Sequence, residues 1–302
     1  MDVQTPLNPE SDAAARARFF NAGNAFNIVL DPIPDMVFKA EIDDAMAADA
    51  KTGFTICDNS HVLGTKTPAT SPLLLARYAR INTNETLEAT FNTEGSIWYV
   101  ISGTGTTCFT DQTFQWGAGD VFILPGGAPA SLAAKGGDAV LWVVTNEPQM
   151  DFQNVQVTKT VDSGVDIVHY PAAELDRQIK TIYKVDQGED APGVGLILSS
   201  EKQLASRNVT PTLVLGLNTL AAGKSQRAHR HNSVAVTLVV EGENCYSVID
   251  GVRKDWAPYV TTVTPPVSYH SHHNKGNKLA KFLIVQDGGI YYHARTMGFS
   301  FD

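Results

Sequence analysis

The sequence predicts an all-β chain built from two similar barrels. Two observations predict it: short strand-like runs recur at the spacing of a barrel or sandwich, and these runs form two sets that align with each other. Residues 98–103 match residues 237–242, and residues 121–125 match residues 261–265, at offsets of 139 and 140. A near-constant offset indicates an internal duplication of one barrel.

The strand-like runs are rich in β-branched and aromatic residues, and glycine or proline closes most of them. The first set comprises residues 96–101, 106–109, 113–116, 120–124 and 139–144. The second set comprises residues 212–217, 234–240, 246–249, 260–263 and 280–285.

Helix signals are few. Ser11 precedes a stretch rich in alanine and arginine and predicts a short N-terminal helix over residues 11–20, with Ser11 as its cap. Residues 171–179 predict a connecting helix that starts at a proline.

We expect four segments along the chain. Residues 1–84 form an N-terminal arm and an irregular segment that pack on the barrels, and residues 85–150 form the first barrel. Residues 151–193 form a linker, and residues 194–302 form the second barrel.

Composition limits the classes of partner. With 302 residues, 43% of them hydrophobic, the chain can bury a sizeable core. Its net charge is -9 and it has no basic tract, so the electrostatic footprint of a nucleic-acid or membrane-surface protein is missing. We therefore expect a small-molecule ligand or a protein partner.

The cysteines and the N-terminus predict a cytoplasmic protein. Cys57, Cys108 and Cys245 are odd in number and far apart, which argues against a disulfide framework or a thiolate zinc site. The first residues have no basic region leading into an apolar run, and no window approaches the roughly 18 apolar residues of a membrane helix.

Three histidines form the most informative pattern. His229 and His231 are separated by one residue, so in an extended segment both side chains point to the same side. A strand-like run follows them, and His270 comes after a further strand and a Pro265-Pro266 corner. If the two strands are neighbours in a small barrel, the three imidazoles converge and can bind one metal ion. The alternative is that they are core or surface histidines.

These residues carry a resemblance to a known family. Gly223, the pair His229 and His231, and Gly242 resemble the first cupin motif, and residues 265–270 resemble the second. The closer similarity, over about residues 223–287, is to ring-cleaving dioxygenases of the gentisate, salicylate and 1-hydroxy-2-naphthoate type. The resemblance implies a bicupin, with two cupin (double-stranded β-helix, jelly-roll) barrels in one chain.

The resemblance also implies the metal and its ligands. Many cupins add a glutamate ligand, which would fall at Ala235 or Val236 here, whereas the gentisate-type enzymes hold Fe(II) with three histidines alone. Three neutral imidazoles leave ferrous iron its charge and open positions for a hydroxylated aromatic and dioxygen. Manganese, zinc or nickel would also accept three histidines, and affinity alone does not select iron.

Two further histidine or aspartate side chains are candidates for the site. By resemblance, His272 is a catalytic or substrate-facing group that hydrogen-bonds the phenolate or the bound oxygen, with a solvated turn histidine as the alternative. Asp287 occupies a place where the family carries an aspartate, although an aspartate before glycine is also typical of a plain turn. His273 should point away from the site.

Thr237 departs from the family. The arginine that binds the substrate carboxylate in the family falls at Thr237, and threonine supplies neither the charge nor the paired donors of a guanidinium group. Either the substrate lacks a carboxylate, or another arginine supplies the contact. Arg227 and Arg230 lie beside the ligands, but Arg230 alternates outward.

The first barrel is predicted to bind no metal. The offsets place Thr90, Asn92 and Ala130 where the second barrel has its three histidines. We expect Trp98 and Trp142, with Tyr99, to be core residues of this barrel rather than ligand contacts.

The leading hypothesis is a non-haem Fe(II)-dependent dioxygenase that cleaves the ring of a hydroxylated aromatic compound. The alternatives are a non-oxidative metal-dependent bicupin, such as an aminohydrolase or isomerase, and a bicupin that binds metal or ligand without turnover. The resemblance further implies a homodimer or larger homo-oligomer.

Overall fold

The computed structural model describes residues 4–158, 163–185 and 193–302, and it divides into two compact units, Met1–Pro32 and Ile33–Asp302. In the first unit, helix α1 (Asp12–Ala15) is capped by Ser11, whose Oγ accepts the Ala14 N–H at 3.1 Å. The predicted helix and its cap are confirmed, but the helix is shorter than expected. Phe19 instead pairs its backbone with Gln4 in a single antiparallel bridge.

The second unit begins with short elements that precede the barrels. They are β1 (Val37–Phe38), α2 (Lys39–Met46), β2 (Gly53–Ile56) and α3 (Ser60–Leu63). β1 lies at the edge of a sheet of the second barrel, and β2 lies at the edge of a sheet of the first. None of the helices in the described ranges is long and apolar enough to cross a membrane.

The first barrel consists of a six-stranded and a four-stranded sheet. Its elements in chain order are β3 (Leu75–Ile81), β4 (Thr86–Ala89), β5 (Gly95–Ser102), β6 (Thr104–Phe109), β7 (Gln112–Gly117), β8 (Val121–Pro125), β9 (Ala130–Ala134), β10 (Ala139–Thr145), α4 (Glu147–Gln153) and β11 (Val168–Tyr170). The sheet orders are β11-β8-β5-β10-β3-β2 and β4-β9-β6-β7.

The second barrel repeats this plan. After the connecting helix α5 (Ala172–Ile182), its elements are β12 (Val194–Leu198), β13 (Val214–Leu220), β14 (His229–His231), β15 (Ala235–Glu241), β16 (Cys245–Ile249), β17 (Val252–Asp255), β18 (Thr261–Thr264), β19 (His270–Asn274), β20 (Ala280–Gln286), α6 (Gly288–Ala294) and β21 (Phe299–Phe301). The sheet orders are β1-β18-β15-β20-β13-β12 and β17-β16-β19-β14-β21.

The predicted duplication is confirmed by the order of the strands. In the two large sheets, β8, β5, β10, β3 and β2 stand in the same order as β18, β15, β20, β13 and β12. The two-barrel, all-β architecture follows, and α5 is the connecting helix expected to start at Pro171, its N-terminal cap.

The strands of the first barrel extend beyond the predicted limits of residues 85–150. β3 lies before residue 85 and is fully buried, yet it contains Arg77 and Arg80. Arg77 pairs with Glu147 at 2.6 Å, and Arg80 pairs with Asp138. Pairing allows the charged side chains to be buried, so a strand that does not look apolar in the sequence packs inside the sheet, between β10 and β2.

The hydrophobic core has three parts. The largest lies between the two large sheets and contains residues of both barrels, including Tyr99 and Trp142. Trp98 belongs to a second cluster inside the first barrel, so all three predicted core aromatics are buried. The cluster inside the second barrel contains only Leu220, Cys245, Ala280 and Phe282 as buried members. The second barrel therefore has interior space that the first barrel fills with side chains.

Candidate metal centre

The three predicted histidines lie side by side on two neighbouring strands. His229 and His231 are on β14, and His270 is on β19, directly opposite His229 in the register. All three are buried, and their potential ligand atoms lie within 4.8 Å of one another. Among the described residues, this is the one group of histidine, cysteine, aspartate or glutamate side chains that could hold a metal ion.

Each of the three imidazoles is held by the same kind of hydrogen bond. The Nδ1 atoms of His229, His231 and His270 lie 2.9, 2.8 and 2.9 Å from backbone carbonyl oxygens, each within two residues of its histidine. A carbonyl only accepts, so each Nδ1 carries the proton and each Nε2 keeps its lone pair. The three side chains are thus fixed in the tautomer that binds a metal through Nε2.

Burial keeps these imidazoles neutral. Desolvation lowers the pKa of all three, to about 4 for His231 and about 3 for His270, and the neighbouring imidazoles lower it further in His231 and His270. A metal ligand must be deprotonated at Nε2. The cluster therefore offers three neutral ligands at neutral pH.

The histidines line a cavity of about 360 Å³ inside the second barrel. Thr237 and His272, two further candidates from the sequence, also line it. The other lining residues are Gly193, Gly195, Ile197, Val214, Gly216, Asn218, Gln226, Ser233, Ala235, Thr264, Ile284, Gln286, Tyr292, Met297 and Phe299.

His272 is held in the opposite tautomer to the three clustered histidines. Its Nδ1 lies 2.8 Å from Ser247 Oγ, and Ser247 Oγ accepts the indole N–H of Trp256 at 2.8 Å. Of the two partners described for the Ser247 hydroxyl, Trp256 can only donate and His272 Nδ1 can accept, so we assign the hydroxyl proton to the bond with His272 Nδ1. His272 then carries its proton on Nε2 and is a hydrogen-bond donor on the cavity wall.

Asp287 does not line the cavity. Its Oδ1 accepts the backbone N–H of Val234 at 2.9 Å, just after β14. Burial raises the pKa of this carboxyl to about 7. The position of Asp287 therefore gives it a role in holding the start of β15 rather than a contact with the contents of the cavity.

No lysine or arginine is found among the cavity-lining residues in the described part of the chain. Arg227 lies over the ring of Phe301, 4.5 Å from its centroid, and Arg230 lies over Tyr269 at 4.6 Å. Both guanidinium groups belong to exposed residues, held against the outside of the barrel. Neither takes the place of the arginine that the family has at Thr237.

Three carboxamides on the cavity wall were not predicted, those of Asn218, Gln226 and Gln286. Gln226 is buried, and its Oε1 has no hydrogen-bond partner among the described residues. Gln286 places its Nε2 3.1 Å from Nε2 of His231. The sequence offers one sign that Gln286 belongs to the site, which is that a polar residue ends an otherwise apolar run. The pairing of β20 with β15, which places Gln286 on the cavity wall, cannot be read from spacing alone.

The equivalent positions in the first barrel have no metal-binding side chains. Asn92 makes hydrogen bonds with the backbone of Val155 and Val157, and Ala130 is buried next to the interior cluster of this barrel. Stacked rings of Trp98 and Phe122, 5.6 Å apart, fill the interior. Thr90 is exposed.

Part of the chain is similar in sequence to gentisate and aminosalicylate 1,2-dioxygenases. It is 33% identical over 102 residues to a gentisate 1,2-dioxygenase from Ralstonia sp, covering 34% of this chain and 26% of that protein. It is 33% identical over 121 residues to a 5-aminosalicylate 1,2-dioxygenase from Comamonas sp, covering 39% of this chain and 32% of that protein. The matched segment thus spans about a quarter to a third of the curated relatives. No family model matches the chain.

The fold likeness covers more of the chain. The crystal structure of a salicylate 1,2-dioxygenase from Pseudaminobacter salicylatoxidans superposes with a TM-score of 0.77 at 14% identity, over 94% of this chain and 92% of that one. At this identity the likeness concerns the fold, and it extends over both barrels.

Proposed function

We propose that this chain, a bicupin of the gentisate 1,2-dioxygenase-like family, is a ring-cleaving dioxygenase that uses ferrous iron and acts on a hydroxylated aromatic compound. The observation that carries the proposal is the convergence of three imidazoles, whose potential ligand atoms lie within 4.8 Å of one another, on one wall of a cavity large enough for an aromatic ring. The same wall carries a fourth histidine as a hydrogen-bond donor.

The donor set fits a divalent transition metal. His229, His231 and His270 would hold the ion through Nε2, and their Nδ1 bonds to backbone carbonyls fix the rings in place. Iron bound there supplies a Lewis acid that orients the aromatic and dioxygen and takes up the charge that develops on them. Manganese, zinc or nickel satisfies the same donors, so iron itself is part of the proposal.

The side chains around this site have separate tasks. His272 would donate its Nε2–H to an oxygen of the substrate, since Ser247 and Trp256 hold its other nitrogen. Phe299 stacks on His229 with ring centroids 5.2 Å apart and closes one side of the cavity. Apolar walls such as Val214 and Ile284 would exclude water around the ring.

The cavity favours a substrate without a carboxylate. Beyond the metal, the cavity-lining residues that the structure describes offer no cation for a buried carboxylate, and burying an unpaired charge is costly. Residues 186–192, which precede Gly193 in the chain, contain no lysine or arginine either. Oε1 of Gln226, which has no partner within the described ranges, can accept a hydrogen bond, which a hydroxyl or amide group can donate and a carboxylate cannot. Diphenols of the hydroquinone type meet both conditions.

Oxygen uptake by the iron-loaded protein tests the proposed activity. The protein is purified anaerobically with iron and assayed with gentisate, salicylate, 1-hydroxy-2-naphthoate, hydroquinone and gentisamide. Gentisamide differs from gentisate only in carrying an uncharged amide in place of the carboxylate. We expect oxygen uptake with at least one of these compounds, and its absence with all of them at full iron occupancy would contradict the proposal.

Anaerobic calorimetry on the same protein tests the substrate class separately. We expect hydroquinone and gentisamide to bind on the order of tenfold more tightly than gentisate. The substitution Thr237→Arg should shift the preference towards gentisate, and Thr237→Gln, of similar length without the charge, should not. Tighter binding of gentisate by the unaltered protein would contradict the substrate class and leave the dioxygenase proposal standing.

A cytoplasmic homo-oligomer completes the proposal. The three cysteines are free, and Cys57 and Cys245 are buried, which suits a reducing compartment. The oligomer rests on the family resemblance, and sedimentation of the purified protein tests it.

A further inference from the structure

Gln286 occupies the space where many cupins have a glutamate ligand. That glutamate would fall at Ala235 or Val236, and only Ala235 faces the cavity, because Val236 packs in the core between the barrels. Ala235 and Gln286 are directly opposite each other on β15 and β20. Side chains opposite each other on paired strands have Cβ atoms about 5 Å apart. The methyl group of Ala235 therefore leaves room that the longer side chain of Gln286 enters.

The end of the Gln286 side chain lies next to the metal-binding nitrogen of His231. Its terminal amide atom is 3.1 Å from Nε2 of His231, the nitrogen whose lone pair is left available by the Nδ1 bond to Ser233. Two neighbouring ligands of one ion, each about 2.1 Å from it, lie roughly 3 Å apart. The carboxamide is thus at the distance expected of a neighbouring ligand.

We propose that Gln286 is a fourth protein ligand of the metal and binds through its carboxamide oxygen. A half-turn of the amide exchanges its nitrogen and oxygen, which have nearly the same shape. Carbonyl oxygens are suitable ligands for hard divalent ions such as Mn²⁺, and the set of three imidazoles and one carbonyl also suits ferrous iron. This inference rests on the proposed metal site and adds a ligand that the family resemblance does not imply.

A glutamine ligand has a different effect from a glutamate ligand. A carboxylate would cancel one charge of the divalent ion, whereas a carboxamide leaves both. The ion then keeps its attraction for an anionic phenolate in a cavity whose lining contains no charged lysine or arginine among the described residues. With Ala235 and Gln286, this chain would have a neutral ligand at the place where many cupins have an anionic glutamate.

Metal titration of the apoprotein tests the proposal without any turnover. Co²⁺ is the probe: competition with a chromophoric chelator gives its affinity, and its visible absorption reports the number of ligands. We expect Gln286→Leu to weaken Co²⁺ binding on the order of tenfold and to change the visible spectrum. Gln286→Glu should bind Co²⁺ more tightly than the unaltered protein, because the new ligand is charged. Asn218→Leu, which removes a half-buried carboxamide elsewhere on the cavity wall, should change neither the affinity nor the spectrum.

Circular dichroism and thermal melting of each apoprotein show whether the variants fold. If Gln286→Leu does not fold, the Co²⁺ affinity of Gln286→Glu decides whether residue 286 is a ligand. Unchanged affinity and spectrum in Gln286→Leu would overturn the inference and leave the three-histidine site standing. Weaker binding with an unchanged spectrum would also overturn it, since Gln286 would then only position His231. Failure of the unaltered protein to bind Co²⁺ would overturn the metal site itself.

Discussion

At the residue scale, the four buried histidines of the cavity differ in the atom that each Nδ1 meets. For His229, His231 and His270 this atom is a backbone carbonyl, which fixes Nδ1 as a donor. For His272 it is the hydroxyl of Ser247, whose other bond comes from Trp256. In the proposed function, the same side chain would thereby serve as a metal ligand at three positions and as a hydrogen-bond donor at the fourth.

Removing the Ser247 hydroxyl should separate the role of His272 from metal binding. In Ser247→Ala, His272 loses the group that holds its proton on Nε2, so we expect kcat/KM to fall on the order of tenfold to a hundredfold. Co²⁺ affinity should stay unchanged, because none of the three ligands contacts Ser247. Ser247→Thr keeps the hydroxyl and should keep most of the activity. Equal loss of activity in both variants would contradict this role.

Asp287 should make stability depend on pH. Its carboxyl has a pKa of about 7 in the folded protein and an ordinary value of 3.8, because burial disfavours the charged form. The folded state therefore holds its proton more tightly than the unfolded state, and the stability this contributes is present at low pH and lost as pH rises from about 4 through about 7. The loss amounts to as much as about 4 kcal/mol.

Urea unfolding of the apoprotein and of Asp287→Asn, at several pH values, checks this expectation. The variant keeps an oxygen for the Val234 N–H but does not ionise. We expect the unaltered protein to lose stability relative to the variant as the pH is raised from 4 to 8. A difference in stability that does not vary with pH would contradict the raised pKa.

At the element scale, the ligand-bearing strand β14 has only three residues and depends on its neighbours. β19 contacts it on one side, and β21 pairs with it on the other through His229–Phe301, Arg230–Ser300 and His231–Phe299. Backbone bonds at Asn232–Gly298 and Ala228–Asp302 flank this pairing. Antiparallel bonds alternate along a pair of strands, so Arg230 and Ser300 form the hydrogen-bonded pair between them.

A proline at residue 300 should loosen the metal site from a distance. Ser300→Pro removes the backbone N–H at the centre of β21, so Phe299 is no longer held against His229. We expect Co²⁺ affinity to fall on the order of tenfold, measured by chelator competition. Ser300→Ala removes only the side-chain contact with Arg230 and should bind normally. An unaltered affinity in Ser300→Pro would show that β21 does not support the site.

The elements also show which parts of the site a sequence can predict. His229 and His231 were predictable because the alternation of side chains in a strand is a local property. His270 was predictable because it lies in the second of the two sequence motifs. β3 was missed because Arg77 and Arg80 interrupt its apolar pattern and find their partners 70 and 58 residues away. Gln286 was missed because its place depends on the register between β15 and β20, which long-range pairing decides.

At the scale of the whole molecule, the two barrels of Ile33–Asp302 share one core. The central hydrophobic cluster draws residues from both large sheets. Thr261 of the second barrel accepts the indole N–H of Trp142 from the first at 2.9 Å, and its Oγ1 lies 2.7 Å from the Tyr78 hydroxyl. The first barrel, with its filled interior, supports the hollow barrel that carries the site.

Thr261→Val should destabilise both barrels together. The buried Trp142 N–H loses its partner, which costs about 1–3 kcal/mol. We expect urea unfolding to stay a single transition at a lower midpoint when it is followed by fluorescence and by circular dichroism. Thr262→Val, on the opposite face of β18, is the matched control and should have little effect. Two separate transitions would show that the barrels unfold independently.

The central claim is tested most directly by the ratio of dioxygen consumed to aromatic rings lost. The iron-loaded protein is given hydroquinone or gentisamide in an oxygen electrode, while aromatic absorbance and hydrogen peroxide are followed together. A ring-cleaving dioxygenase inserts both atoms of dioxygen, so we predict one O₂ consumed for each ring lost, no peroxide, and no reaction in His231→Ala. Ring loss without oxygen uptake, or oxygen uptake matched by peroxide and quinone, would contradict the account.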